Sequence, residues 1–195
     1  MSELKRRLVH ASGTGLPVLY LLGWLSWRQL GYLLLFGSAV AGVLEILRLY
    51  VGLDWAIYDE LTREYEQDNP AGYALYMFSQ TAVALIFGPG IAIPGMLMLT
   101  IGDPISGILS SNRVSQAKRV TTLAAMFVVC FALAWPFVRP VAPSPPVAVV
   151  ASSVGALGAT VADGFKPVVA GYVVDDNASI PPMASVGIWV VLALA

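Results

Sequence analysis

The chain has 195 residues, 57% of them hydrophobic and only 12% charged, with a mean hydropathy of +0.75. A soluble domain carries roughly a quarter charged residues, so polar groups cannot cover a globular surface here. Eleven Lys and Arg against twelve Asp and Glu leave no basic excess to hold a nucleic-acid backbone, and one cysteine (Cys130) and one histidine (His10) exclude a disulfide framework, a cysteine-based zinc site and a histidine-pair metal motif. The expected class is an all-α, polytopic integral membrane protein, one membrane-embedded domain over residues 1–195.

A helix needs about 20 apolar residues to cross the hydrocarbon. Apolar runs cover Leu16–Leu25, Leu30–Tyr50, Tyr73–Phe87, Ile91–Ile101, Val120–Val138, Val147–Val161 and Ser179–Ala195, which predicts about seven spans. The first begins near His10. It lacks a small-residue cleavage site and is followed at once by another span, so a cleavable signal peptide is not expected. The fourth carries Pro94 and then Gly102-Asp103-Pro104, and a helix break is predicted there, with Asp103 as the N-cap of a new helix. Between the fifth and sixth spans, the prolines of Arg139–Pro146 stiffen a short loop.

With the N-terminus in the cytoplasm and alternating spans, nine of the eleven basic residues fall inside; only Arg28 and Arg139 fall outside. All twelve acids lie on or near the same side, which the positive-inside rule does not demand. The chemistry is therefore expected at the cytoplasmic face of the cell membrane.

Glu3, Arg7 and His10 recur at helical spacing and share one face. They serve either as a lead-in helix anchored on lipid head groups or as a phosphate contact made by Arg7 and His10. Glu45 and Arg48, at i and i+3, suit an ion pair at the end of the second span. Asp54–Asp68 mixes six acids with Leu53, Trp55, Tyr58 and Tyr65, which predicts an amphipathic helix against the protein's own cytoplasmic face. Asp103 ends an apolar run, where an ionisable group is unfavourable unless it acts, and a carboxylate there suits Mg²⁺ and phosphate. Ser110–Arg119 is either a plain inside loop or, through Arg113, Lys118 and Arg119, a polyphosphate cradle. In the last cluster, Asp175-Asp176-Asn177 offers oxygens to a hard cation or caps the final span in a solvated turn. Asp163 pairs with Lys166 at i and i+3, unless Lys166 contacts phosphate.

Four of these stretches, in order, resemble the CTP-dependent polyprenol kinase family of dolichol, phytol and CTP-dependent diacylglycerol kinases, in its short prokaryotic or archaeal form. They are Glu3-Leu4-Lys5-Arg6-Arg7-Leu8-Val9-His10 with its trailing glycines, Glu45-Ile46-Leu47-Arg48, Gly102-Asp103-Pro104-Ile105-Ser106, and Asp175-Asp176-Asn177 followed by Ile180-Pro181. The chain departs from the family in lacking the Lys-Thr/Ser-x-Glu-Gly motif after Gly-Asp, where Lys118-Arg119-Val120-Thr121-Thr122 stands, and in carrying Asp163 where glutamate is expected.

The resemblance implies transfer of a phosphoryl group from CTP to the hydroxyl of a polyprenol- or dolichol-type lipid alcohol. Asp103, Asp175 and Asp176 would hold Mg²⁺. Arg7, Lys118, Arg119 and Lys166 would neutralise phosphate charge. His10 or one of the acids, Asp103 and Asp176 among them, would orient the alcohol or accept its proton. Glu45, Arg48 and Asn177 complete the candidate set. The rival readings are a cytidylyltransferase acting on a lipid phosphate, and a small transporter or non-catalytic membrane scaffold. The sequence names neither the alcohol nor the oligomeric state, a dimer being compatible with it.

Overall fold

The computed structural model describes residues 10–53, 55, 58, 62, 66–110, 119–169 and 172–195. A helical turn at 10–12 leads into α1 (Gly15–Leu21). There follow α2 (Trp27–Ile46), α3 (Gly72–Ile86), α4 (Pro89–Leu97), α5 (Asp103–Leu109), α6 (Val120–Val138), α7 (Pro145–Gly164) and α8 (Asp176–Leu194). Two-residue strands, β1 (Val168–Val169) and β2 (Tyr172–Val173), pair antiparallel between α7 and α8. Among the described residues, the regular structure is thus helical but for this small hairpin.

Each helix except α5 lies on one of the apolar runs, and the caps follow from local chemistry. Ser26 opens α2 with a capping box. Its side chain accepts from the Gln29 N–H, while Gln29 accepts from the Ser26 N–H at 2.8 Å. Pro89 and Pro145 stand in the first turns of α4 and α7, where a missing N–H costs nothing. Gly52 ends the second span in a left-handed conformation, φ 69°, which glycine adopts without strain.

Five helical stretches are long and apolar enough to cross a membrane: Trp27–Val51, Pro89–Leu109, Val120–Val138, Pro145–Gly164 and Asp176–Leu194. Of the seven expected spans, two fall short. At 1.5 Å per residue, α3 reaches only about 22 Å and α1 about 10 Å, against a hydrocarbon core of about 30 Å. Large apolar side chains such as Phe36, Ile86, Val128 and Trp189 stand on the outside, as expected of surfaces facing lipid.

The expected break at Gly102-Asp103-Pro104 does not occur. A π-turn, Met98–Gly102, joins α4 to α5 in one continuous helix. Asp103 has helical dihedrals and donates its N–H to the Met98 carbonyl, five residues back. The wider turn absorbs the hydrogen bond that Pro104 cannot make, so the proline bends the ladder without ending it. Asp103 is therefore not an N-cap.

The bundle is organised around α8, which packs on α7, α3 and α4. Its approach to α7 is close because glycines line it. A Cβ on Gly158 would lie 2.7 Å from the Met183 carbonyl oxygen, and one on Gly155 would lie 2.5 Å from Ile188. Met98, Leu99, Met126, Cys130, Ile180 and Ile188 form the main apolar core, and Leu30, Leu34, Val83 and Met96 form a second. Up-and-down connectivity gathers the ends of α2, α7 and the lead-in turn, with the starts of α3, α6 and α8, at one end of the bundle.

Candidate functional site

Three carboxylates from three helices converge at that end. Asp103 begins α5, Asp163 stands one residue before the end of α7, and Asp176 begins α8. One ligand oxygen from each lies within 4.8 Å of the others, and Asp163 and Asp176 are buried. Each is held by its own partner. Ser106, one turn along α5 from Asp103, donates its hydroxyl to Asp163 at 2.6 Å. Lys166 meets Asp176 with Nζ 2.5 Å from Oδ2. The β1–β2 hairpin makes that meeting possible by folding the chain back, closed by the Val174 N–H donating to the Pro167 carbonyl. Asp176 also sits in the first turn of α8, where the helix dipole favours a negative charge.

His10 reaches the same place from the lead-in turn. Its Nδ1 lies 4.0 Å from Asp103 Oδ2, and its ring meets Tyr76 edge-on with centroids 5.3 Å apart. Close approach of this turn depends on Gly13, since a Cβ there would fall 1.8 Å from the Tyr76 hydroxyl.

The structure thus brings together Asp103, Asp176, Lys166 and His10 of the residues expected at a site. Asp175 has another task. Its carboxylate caps α8, accepting from the Asn177 N–H at 2.9 Å and from the Asn177 side-chain amide at 2.5 Å. Asn177 in turn ties α8 to α3, its carbonyl accepting from Ser79 at 2.6 Å. This 175–177 segment is buried, so it is not a solvated turn.

Glu45 and Arg48 form the expected pair, doubly bonded at 3.0 and 2.7 Å. They serve as a latch. Arg48 donates to the carbonyls of Glu66, Gln67 and Asn69, while Glu45 accepts from the Ala71 N–H and the Tyr73 hydroxyl. The end of α2 is thereby fastened to the start of α3. Arg119 is exposed at the head of α6, at the same end of the bundle as the carboxylates. Arg7, Lys118 and Arg113 lie outside the described residues, as does most of the Asp54–Asp68 segment expected as an interfacial helix.

Asp163 is the ligand that sequence reasoning left out of the metal set. Its signal was the one that marked Asp103, an acid at the end of an apolar run. Three carboxylate oxygens make a hard donor set of the kind Mg²⁺ prefers. No family model, no curated protein and no solved structure matches the chain.

Proposed function

We propose that this chain is a CTP-dependent lipid kinase, transferring the γ-phosphoryl group to the hydroxyl of a polyprenol- or dolichol-type alcohol at the cytoplasmic face of the cell membrane. The observation that carries the reading is the convergence of Asp103, Asp163 and Asp176 within 4.8 Å at one end of an apolar bundle. Phosphoryl transfer asks little covalent chemistry of a protein; it asks for positioning and charge neutralisation. The order of motifs along the chain, resembling the polyprenol kinase family, supports the same reaction.

The three carboxylates would hold Mg²⁺, which when bound supplies positive charge to the nucleotide phosphates. Lys166, paired with Asp176, adds a cation beside them. Ser106 fixes the Asp163 carboxylate so that one oxygen stays turned toward its neighbours. His10 is the base in this reading. It takes the proton of the alcohol as the oxygen bonds to phosphorus and CDP leaves, and the Asp103 carboxylate 4.0 Å away stabilises the imidazolium. Arg7, Lys118 and Arg119 supply further charge to the phosphates.

The test uses purified protein with Mg²⁺ and γ-labelled CTP or ATP, offered a polyprenol, a phytol-like alcohol and a diacylglycerol. Label in an organic-soluble product, dependent on CTP, is expected. Asp103→Asn and Asp163→Asn should each lower the rate about a hundredfold or more, since each removes a charged oxygen from the metal set. Pyrophosphate released with a lipid phosphate as acceptor would instead identify a cytidylyltransferase. Neither product would overturn the nucleotide reading.

A further inference from the structure

Most polar side chains buried in the bundle are satisfied: Ser38 and Thr81 by each other and by helix carbonyls, Ser79 by Asn177, Thr160 by Ala156. Thr100 on the π-turn and Ser152 on α7 find no partner among the described residues, and two neighbours on α3 find none beyond each other. The Tyr76 hydroxyl and the Gln80 amide are buried beside each other and interact with one another, and beyond that contact they find no hydrogen-bond partner among the described residues; Gln80 is only 1% exposed. In a helix bundle within lipid, water cannot rescue such groups, so they are unfavourable unless something polar meets them.

Their location connects them to the acidic centre. Tyr76 and Gln80 stand at i and i+4, one above the other on the face of α3 that also carries Gly72, Ser79 and Val83. Gly72 and Ser79 both abut Asn177, so this face looks toward α8. Tyr76 touches His10, and His10 leads to Asp103. Gln80 lies one turn deeper into the apolar interior. The pair therefore forms a polar step between the membrane interior and the carboxylates.

The chemistry of the step narrows what it takes. A phosphate would need donors only and a cation acceptors only. Tyr76 and Gln80 offer both: an O–H that donates or accepts, an amide N–H₂ that donates and an amide oxygen that accepts. A neutral hydroxyl, itself donor and acceptor, matches that mixture. We propose that Tyr76 and Gln80 form the subsite that receives the hydroxyl of the lipid alcohol and holds it against His10, with the hydrocarbon tail continuing into the bundle's apolar surroundings. This assignment rests on the lipid-kinase reading for its catalytic consequence. The binding it describes does not.

The experiment uses the full chain in detergent, wild type beside Tyr76→Phe and Gln80→Leu, with Gln80→Asn as the conservative variant. Binding of tritiated farnesol is measured without nucleotide, and KM is measured separately for CTP and for the alcohol. Gln80→Leu and Tyr76→Phe should each weaken farnesol binding and raise the KM for the alcohol about tenfold, the effect of leaving a bound hydroxyl unpaired. The KM for CTP should not move, and Gln80→Asn should recover part of the loss. The melting temperature of Gln80→Leu should hold or rise, because an unmatched amide has been replaced by an apolar group of similar size. If wild type binds farnesol, the variants do not, and no phosphoryl transfer occurs, the subsite stands and the kinase reading falls. Equal farnesol binding by all the proteins would overturn the subsite. A loss on CTP and alcohol together, with a lowered melting temperature, would overturn it in favour of a packing role.

Discussion

A carboxylate at a helix end can serve the backbone or a ligand, and Asp175, capping the start of α8, and Asp163, near the end of α7, divide those tasks. Asp175 accepts from the Asn177 N–H. Asp175→Ser should retain that bond and leave phosphoryl transfer nearly unchanged, whereas Asp175→Ala should cost about 1 kcal/mol of stability, read as a lower melting temperature. Asp163→Asn reverses the pattern. Its amide oxygen still accepts from Ser106, so stability should hold while the proposed Mg²⁺-dependent transfer falls about a hundredfold or more. Equal activity of Asp163→Asn and wild type would remove Asp163 from the metal set. Gly13 gives a third test at this scale. Its added Cβ would collide with the Tyr76 hydroxyl, so Gly13→Ala should destabilise by about 1–3 kcal/mol. Removing that oxygen in Gly13→Ala/Tyr76→Phe should restore part of the loss; a double variant no better than Gly13→Ala would show that the hydroxyl is not what the glycine accommodates.

Between elements, a few contacts decide how the helices meet. Arg48 and Glu45 are mostly buried and bonded to each other, and together they fasten the 66–71 segment. Removing one charge leaves the other uncompensated, so Arg48→Leu should cost about 3–5 kcal/mol in thermal unfolding. Glu45→Gln in that background should recover part of it, since a neutral amide oxygen still accepts from Ala71. The α7–α8 contact depends on space in place of charge. Gly158→Ala sets a methyl 2.7 Å from the Met183 carbonyl, and backbone cannot step aside as a flexible side chain can. A loss of about 1–3 kcal/mol is expected. Because both helices carry a carboxylate of the trio, Mg²⁺-dependent activity should fall with it.

At the scale of the molecule, the proposed topology would put one end of the bundle in each compartment. The end bearing His10, Asp103, Asp163 and Asp176 also holds Arg48, Arg119 and Lys166 of the five cations among the described residues, so it should face the cytoplasm. Single cysteines at Asp68 and Pro143, both exposed and at opposite ends, test this with a membrane-impermeant maleimide on intact cells. Pro143→Cys should label at once and Asp68→Cys only after permeabilisation; the reverse pattern would turn the site outward. Cys130 is buried and should stay unlabelled in both.

Membrane class and the positions of most helices were legible in the sequence, because apolar length is a local property and water–lipid partition reads it directly. The Glu45–Arg48 pair was legible for the same reason, its members being one helical turn apart. The acidic centre was legible only in part. Asp103 and Asp176 announced themselves as acids bordering apolar runs, but the choice of Asp163 over Asp175 as their companion depends on which side chains α7 and α8 turn inward. Ser106 and Asp163 lie 57 residues apart, and no periodicity encodes such a contact. The helix that continues through Pro104 was misjudged because local propensity opposes it. The bundle decides otherwise, since Pro89–Leu109 is its most buried span and a π-turn lets it stay packed while missing one N–H. Tyr76 and Gln80 carried no signal at all: on an apolar helix they are two ordinary polar residues, and only the assembled core shows that, beyond each other, they find no hydrogen-bond partner among the described residues.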